Sequence, residues 1–281
     1  MKYFSIDNFI NKDLCEKLIQ ASDIHNFSKN KTLIHGQRQF VSSSDEEFHN
    51  LLNNSEEWNN LEKKINSSEF LEFCLKKLDL NDKKFSLVNF FNYKNLTNIQ
   101  KLYKKISSTK NKLIPTKTLV KYSMLRIYRD LFRKIKFSKI FYPNKSAVEL
   151  LYDYSKAGNG YSREIHRDSD NRLIVFILYL NAPSKSDNHE GGDFDIYKLI
   201  NGEKNIAQPE KKNCEKIENI KPEAGKLIVF LNESESFHGV EEMKNHSDYR
   251  YFIYGSFTLL NQKNPYINNK SKLATEFHMY D

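Results

Sequence analysis

The sequence predicts an α+β protein whose first part is mostly helical and whose larger second part is mainly β. Apolar side chains recur at helical spacing within the first 80 residues. From Ala147 onward the pattern changes to short strands separated by turns, which is typical of a sandwich or barrel. The chain has 281 residues, of which 39% are hydrophobic and 13% aromatic, so it is long and apolar enough to bury a substantial core.

Helices are predicted in the first 80 residues, after a short alternating strand at Lys2 to Ile6. Asn11 is a suitable N-cap for the first of them, because an asparagine side chain accepts hydrogen bonds from the N–H groups of the first turn. Trp58 and Leu61 are spaced three apart in the third, so we expect Trp58 in the core rather than in a site. The expected helices cover 13–21, a segment beginning near 45, 57–65 and 68–78, with a strand at 85–93.

A basic segment interrupts the chain before the β-rich part. Fourteen lysine or arginine residues and one acid, Asp130, fall between Asn95 and Lys145, which accounts for more than the whole net charge of +8. Residues 119–137 carry apolar side chains at helical spacing with arginines between them, so they predict a basic amphipathic helix. Such a patch attracts nucleic acid, an anionic membrane or an acidic partner, or is simply a solvated face.

Seven strands are predicted in the second part, with glycine-containing turns between them. They are expected at 148–154, 162–166, 173–180, 192–198, 226–231, 237–240 and 250–258. We therefore divide one catalytic unit into N-terminal helical support (1–94), a basic helical insertion (95–146), a β core (147–261) and a C-terminal tail (262–281).

The cysteines and the N-terminus predict a soluble cytoplasmic protein. The three cysteines are odd in number, far apart and outside any CxxC pattern, so we expect neither a disulfide framework nor a zinc site. The N-terminus reaches Asp7 before any apolar run long enough for a signal peptide, and no run approaches the ~20 residues of a membrane span. The oligomeric state is not indicated.

The chemistry is expected between Tyr154 and Asn181. His166 and Asp168 lie two residues apart at the edge of an apolar run, and this pair holds a metal only if a third ligand comes from elsewhere. His238, in FLNESESFHGV, is the candidate for that ligand. Two histidines and one carboxylate occupy one face of Fe(II) and leave positions open for a bidentate co-substrate and O2, so this set indicates a non-haem iron oxygenase.

The ordered series of motifs resembles the 2-oxoglutarate/Fe(II)-dependent dioxygenases, and within them the prolyl 4-hydroxylase-like branch. The series runs from HRD through LIVFILYLN, GGDFDIY and GKLIVFLNESESFHGV to YRYFIYGSF, over about 148–260. The resemblance implies a double-stranded β-helix with iron at its open end, held by His166, Asp168 and His238.

The same resemblance implies where the co-substrate binds. Arg250 and Tyr179 match the residues that hold the distal carboxylate of 2-oxoglutarate, and a guanidinium suits that carboxylate because it pairs with both oxygens. Tyr154 matches an active-site tyrosine ahead of the HxD pair, with packing within the strand as an equal alternative. The implied cofactors are Fe(II), 2-oxoglutarate and O2, with ascorbate as a candidate auxiliary reductant.

Two positions narrow the reaction. Asp168 implies hydroxylation, since related halogenases have a small residue at the carboxylate position, where chloride binds. Ser256, six residues after Arg250, is not the second arginine seen in nucleic-acid demethylases of the AlkB type, so a nucleic-acid partner is not expected.

We expect hydroxylation of an unactivated C–H bond, most favourably of a prolyl or lysyl residue in a protein or peptide. A small metabolite or a sugar of a surface polymer is the alternative substrate. The alternatives of another class are a non-catalytic binding protein on the same barrel and a nucleic-acid-binding module that uses the basic segment.

Overall fold

A computed structural model describes residues 1–23, 31–32, 38–43, 45–80, 85–88, 146–182, 185–202, 206–260 and 263–268. The predicted helix at 119–137 lies outside these ranges, and so does the whole basic helical insertion (95–146) except Ser146. The proposed division into 1–94, 95–146, 147–261 and 262–281 stays a prediction. Within the described ranges, no helix has the length and apolar character needed to span a membrane. Cys15, Cys74 and Cys214 are free thiols.

The predicted N-terminal helices are present. Leu14 donates its backbone N–H to Asn11 Oδ1 at 2.8 Å, so the expected N-cap forms. Ser55 and Ser67 cap the third and fourth helices in the same way, by accepting from Trp58 N and Phe70 N. The helices are α1 (Lys12–Asp23), α2 (Glu46–Asn54), α3 (Glu56–Ile65) and α4 (Ser68–Lys77).

The described strands are fourteen, and the seven predicted in the second part are among them. In the first part they are β1 (Tyr3–Ile6), β2 (Lys31–Thr32), β3 (Arg38–Ser42) and β4 (Phe85–Leu87). In the second part they are β5 (Ser146–Ala157), β6 (Arg163–His166), β7 (Arg172–Tyr179), β8 (Lys185–Glu190), β9 (Phe194–Leu199), β10 (Cys214–Ile220), β11 (Leu227–Leu231), β12 (Phe237–Val240), β13 (Lys244–His246) and β14 (Arg250–Leu259).

Two sheets form the double-stranded β-helix that the resemblance implied. The large sheet has the order β1-β11-β7-β14-β5-β3-β2, with β4 beside β5, and the small sheet has the order β10-β9-β12-β6. Side chains from β7, β11 and β14 meet side chains from β9 and β12 in one buried cluster that includes Val175, Phe230, Phe194 and Ile196. This cluster is the barrel interior, and it places β6 and β12 opposite the large sheet.

The helices cover the outer face of the large sheet. Because side chains alternate along a strand, the other half of the side chains on β5, β7, β11 and β14 face the helices. Phe70 of α4 meets Phe176 of β7 edge to face, with ring centroids 5.5 Å apart. Trp58 is 1% exposed and donates its indole N–H to Leu18 O at 2.8 Å, so it is a core residue as predicted.

Two expectations about local structure are wrong. Residues 38–42 lie in the part of the chain that was predicted to be helical, but they form the strand β3. They do so because they pair with β5, which is distant in the sequence. Likewise, no strand was predicted between those at 237–240 and 250–258, but this stretch contains the strand β13, which pairs with β8 in a separate two-stranded sheet. Both strands depend on a distant partner rather than on their own sequence pattern.

Candidate active site

The fold brings His166, Asp168 and His238 together. His166 ends β6 and lies opposite His238 of β12 in the antiparallel register, while Asp168 follows two residues after the strand. The two imidazole centroids are 4.4 Å apart, and one possible ligand atom from each residue lies within 4.8 Å of the others. All three side chains are buried, so the cluster is a site built inside the barrel rather than a chance surface group.

Backbone carbonyls fix which nitrogen of each histidine is free for a metal. His166 Nδ1 donates to Glu164 O at 2.8 Å, and His238 Nδ1 donates to Ser236 O at 3.0 Å. The lone pair of each ring is therefore on Nε2. Burial lowers the pKa of both imidazoles, which favours the neutral form that coordinates metals.

Asp168 is oriented by two donors on one of its oxygens. Arg172 Nη1 and Tyr254 Oη both donate to Asp168 Oδ1 at 2.5 Å. The other oxygen, Oδ2, is buried without a hydrogen-bond partner among the described residues and lies 3.5 Å from His238 Nε2. Burial acts to raise the pKa of Asp168, but the charge of Arg172 and the hydrogen bond from Tyr254 outweigh it, so the pKa falls well below its ordinary value and the group is a carboxylate.

These three residues fit Fe(II). Two neutral imidazoles and one carboxylate are the donor set that holds Fe(II) on one face and leaves the other positions open. The unpartnered Oδ2 of Asp168 supports this fit, because a buried carboxylate oxygen needs a donor or a cation. His166 Nε2, His238 Nε2 and Asp168 Oδ2 would be the ligand atoms.

Arg250 and Tyr179 lie together in the same interior. Each is 2% exposed, and the Arg250 guanidinium carbon is 5.8 Å from the centre of the Tyr179 ring. Arg250 Nε is buried with no hydrogen-bond partner among the described residues, so the guanidinium still has a donor to offer an anion. Gly192 makes room for it, since a Cβ at Gly192 would stand 2.2 Å from Arg250 Nη2.

Tyr154 does not reach this interior, which corrects the expectation that it contacts the co-substrate. Its ring packs against Trp58 at 4.6 Å between centroids, and its hydroxyl is 2.6 Å from Ser22 Oγ, on the helical side of the large sheet. The next residue, Ser155, faces the barrel, where it accepts from Arg38. Because side chains alternate along β5, Tyr154 lies on the face of the large sheet that packs against the helices, away from the barrel interior.

Sequence reasoning missed three interior residues. Tyr254 contacts Asp168, and its ring lies between two guanidiniums, with Arg38 and Arg172 carbons 5.9 and 5.2 Å from its centre. Its position four residues after Arg250, on the same face of β14, is a pattern that could have identified it. Arg163 Nη2 lies 3.0 Å from His166 Nε2. Arg38 had no such pattern, because the strand that carries it was not predicted.

A cavity of about 710 Å³ has Arg163 and Val240 in its wall, and these two residues lie on the same two strands as His166 and His238. Five carboxylates and three cations line it, and two of the cations are paired, Lys211 with Glu241 at 3.1 Å and Lys244 with Glu242 at 3.7 Å. The charged lining consists of Glu164, Glu190, Glu210, Glu241, Glu242, Arg163, Lys211 and Lys244. The cavity therefore has an acidic excess, which repels polyanions.

Three solved prolyl hydroxylases align with most of the chain at low sequence identity. A prolyl-4-hydroxylase from Pseudomonas putida is 14% identical, with 92% of each chain covered and a TM-score of 0.44. A prolyl hydroxylase from Trichoplax adhaerens, in complex with a hypoxia inducible factor oxygen degradation domain peptide fragment, is 12% identical, with 92% of this chain and 83% of that one covered and a TM-score of 0.45. The viral collagen prolyl hydroxylase of Paramecium Bursaria Chlorella virus-1, in complex with 2OG, is 14% identical, with 92% and 96% covered and a TM-score of 0.40.

The family comparison gives the assignment. No curated protein matches the sequence. The model of the 2OG-Fe(II) oxygenase superfamily matches residues 151–257, the part of the chain that contains the metal cluster, Tyr179 and Arg250. This match and the buried cluster of His166, Asp168 and His238 identify residues 151–257 as a 2-oxoglutarate- and Fe(II)-dependent dioxygenase domain.

Proposed function

We propose that this dioxygenase hydroxylates an unactivated C–H bond of a prolyl or lysyl residue in a protein or peptide. The observation that carries the reaction type is the carboxylate of Asp168 beside the two histidines, since a small residue there would free a position for halide. The acidic excess of the cavity supports a cationic or neutral substrate over a polyanion. The sequence resemblance to the prolyl 4-hydroxylase-like branch supports a peptide.

When bound, Fe(II) would supply the oxidising chemistry, in which 2-oxoglutarate is decarboxylated to succinate while one oxygen atom of O2 enters the substrate. The protein's own residues bind and orient. His166, His238 and Asp168 would hold the iron, and Arg172 and Tyr254 keep one oxygen of Asp168 occupied so that the other is the ligand. Arg250 and Tyr179 would hold the distal carboxylate of 2-oxoglutarate.

Apolar side chains around the ligands limit water. Phe230 and Phe194 lie against His238, with ring centroids 4.7 and 5.4 Å from the imidazole. Both phenylalanines are buried at 1% exposure or less. Apolar side chains that exclude water from the metal position strengthen the electrostatic contacts within the site and protect reactive species from side reactions.

The test is turnover of peptides that differ only at the candidate residue. Peptides with a prolyl or a lysyl residue between basic flanking residues are incubated with the Fe(II) enzyme, 2-oxoglutarate and O2, and each is compared with its alanine counterpart. We expect a mass gain of one oxygen atom in the prolyl or lysyl peptide, with succinate formed in equal amount. A His238→Ala variant should give neither product.

A small-molecule substrate is the second candidate, because a cavity of about 710 Å³ lies in the size range of small-ligand sites. Hydroxylation of an amino acid or a sugar, with every peptide left unmodified, would replace the peptide proposal by this one. Consumption of 2-oxoglutarate without oxidation of any peptide would also contradict the proposal that the substrate is a peptide.

A further inference from the structure

The small sheet ends at the strand β6, which pairs with β12 alone among the described strands. Within the described ranges, the backbone of β6 makes no hydrogen bond outside that pairing to another backbone group. The imidazole of His166 donates to one of its carbonyls, Glu164 O, and the next backbone bond runs from Arg167 N–H to Ala207 O, beyond the strand. An edge strand of this kind presents N–H and C=O groups with which an extended segment of another chain can pair.

The same strand forms part of the cavity wall. Four consecutive residues, 162–165, line the cavity of about 710 Å³. The wall also has an apolar part, in which Ile165, Tyr197 and Val240 are each buried. The aliphatic stem of a lysine or arginine side chain packs well on such a surface while its charged end stays at a polar rim. The open edge of β6 and this cavity wall, together called the β6 groove, therefore suit both the backbone and the long side chains of an extended segment.

The surplus negative charge of the β6 groove lies on two of its five carboxylates, Glu164 and Glu190. Both side chains are exposed, and neither is in an ion pair with a described residue. The third cation of the wall, Arg163, lies against His166, with Nη2 3.0 Å from Nε2. The other three carboxylates have lysine partners at 2.6–3.7 Å, in the pairs Glu210–Lys212, Glu241–Lys211 and Glu242–Lys244. The charge that remains is complementary to a basic side chain.

We propose that the β6 groove docks an extended, basic segment of the substrate polypeptide, which adds to β6 as a further strand. Glu164 and Glu190 contact a lysine or arginine side chain of that segment. This rests on the proposed hydroxylation of a peptide and narrows its substrate class. Glu164 lies two residues before His166, or about 7 Å along the strand at the usual rise. The basic residue is therefore expected two to four positions from the residue that is hydroxylated.

The test measures the binding of labelled peptides to the whole protein by fluorescence anisotropy, without turnover. The probe is a nine-residue peptide of alternating lysine and threonine. It is compared with a peptide that has glutamate in place of lysine, and with a lysine peptide N-methylated at its central residues, which keeps the charge and lacks the N–H groups for strand pairing. The variants are Glu164→Gln, Glu190→Gln and the two combined. Glu215→Gln is the matched control, since Glu215 is exposed on β10, the other edge strand of the same sheet.

We expect the lysine peptide to bind, the glutamate peptide not to bind, and the N-methylated peptide to bind at least about fivefold more weakly because it cannot donate to the strand edge. Glu164→Gln and Glu190→Gln should each raise the Kd of the lysine peptide about two- to fivefold, the size expected for an exposed ion pair. The combined variant should show the product of the two effects, and Glu215→Gln should bind as the wild-type protein does. Added salt should weaken binding by screening these contacts.

A lysine peptide that fails to bind the wild-type protein, or binds the combined variant equally well, would overturn the inference. So would equal binding of the N-methylated peptide, or of spermidine, because the groove would then be a site for any cation rather than for an extended chain.

Turnover separates this inference from the proposed function on which it rests. If basic-flanked prolyl or lysyl peptides are hydroxylated with the same KM by the wild-type protein and the combined variant, the docking inference fails and the proposed function stands. If the lysine peptide binds through Glu164 and Glu190 but no peptide is hydroxylated, the proposed function fails and the β6 groove remains a peptide-binding surface.

Discussion

Removing the hydroxyl of Tyr254 tests how the metal carboxylate is positioned. In Tyr254→Phe the ring stays between Arg38 and Arg172, but Asp168 Oδ1 loses one of its two donors. Removing a partner that orients a metal ligand costs about 10–100-fold in metal affinity. Because Arg172 still donates to the same oxygen, we expect the lower end, about tenfold or roughly 1.4 kcal/mol.

Metal affinity is measured by competition with a chromophoric chelator, for Fe(II) under anaerobic conditions and for Co(II) in air. Tyr251→Phe is the matched control, since Tyr251 lies on the same strand with its ring beside Tyr154, on the helical side of the sheet. The control should bind both metals as the wild-type protein does. Equal metal affinity in Tyr254→Phe and wild type would refute the idea that this hydroxyl orients Asp168.

Three further predictions concern the co-substrate pocket and the helical layer. Gly192→Ala should weaken 2-oxoglutarate binding and lower the melting temperature, because the new Cβ meets Arg250 and the backbone φ of +87° is strained for alanine; a binding isotherm matching wild type would contradict this. Tyr154→Phe should destabilise the fold by about 1 kcal/mol through its lost hydrogen bond, yet leave the Kd for 2-oxoglutarate unchanged; a weaker Kd would return Tyr154 to the site. Burial raises the pKa of Glu62 in the folded state, so that state holds the proton more tightly than the unfolded chain, and stability should fall as the pH rises from the ordinary glutamate pKa through the raised one. Chemical denaturation across that range should show a flatter pH dependence for Glu62→Gln, and parallel curves would argue against the shift.

Much of the metal site could be predicted because its information is local. His166 and Asp168 are two residues apart beside a strand, and His238 follows an apolar strand on the next part of the barrel. The residue types and their spacing therefore indicate Fe(II) binding without any knowledge of the contacts. The structure adds what the sequence does not contain, which is the tautomer of each histidine and the choice between the two oxygens of Asp168.

The residues that sequence reasoning misplaced or missed depend on facing and on distant pairing. A tyrosine in a strand buried on both faces gives no indication of which face it takes, and for this reason a contact with the co-substrate and packing within the strand were equal alternatives for Tyr154. Arg38 enters the barrel on a strand that exists only because it pairs with β5. Arg163 lies three residues before His166, and only the register of β6 with β12 shows that it points inward.

The most direct test of the central claim is anaerobic titration of the Fe(II)-loaded protein with 2-oxoglutarate, followed by the visible charge-transfer band. The account predicts a saturable band in the wild-type protein and its loss in Arg250→Ala at the same co-substrate concentration, because the buried guanidinium would no longer hold the distal carboxylate. A protein that binds Fe(II) but shows no band at any concentration of 2-oxoglutarate would contradict the account.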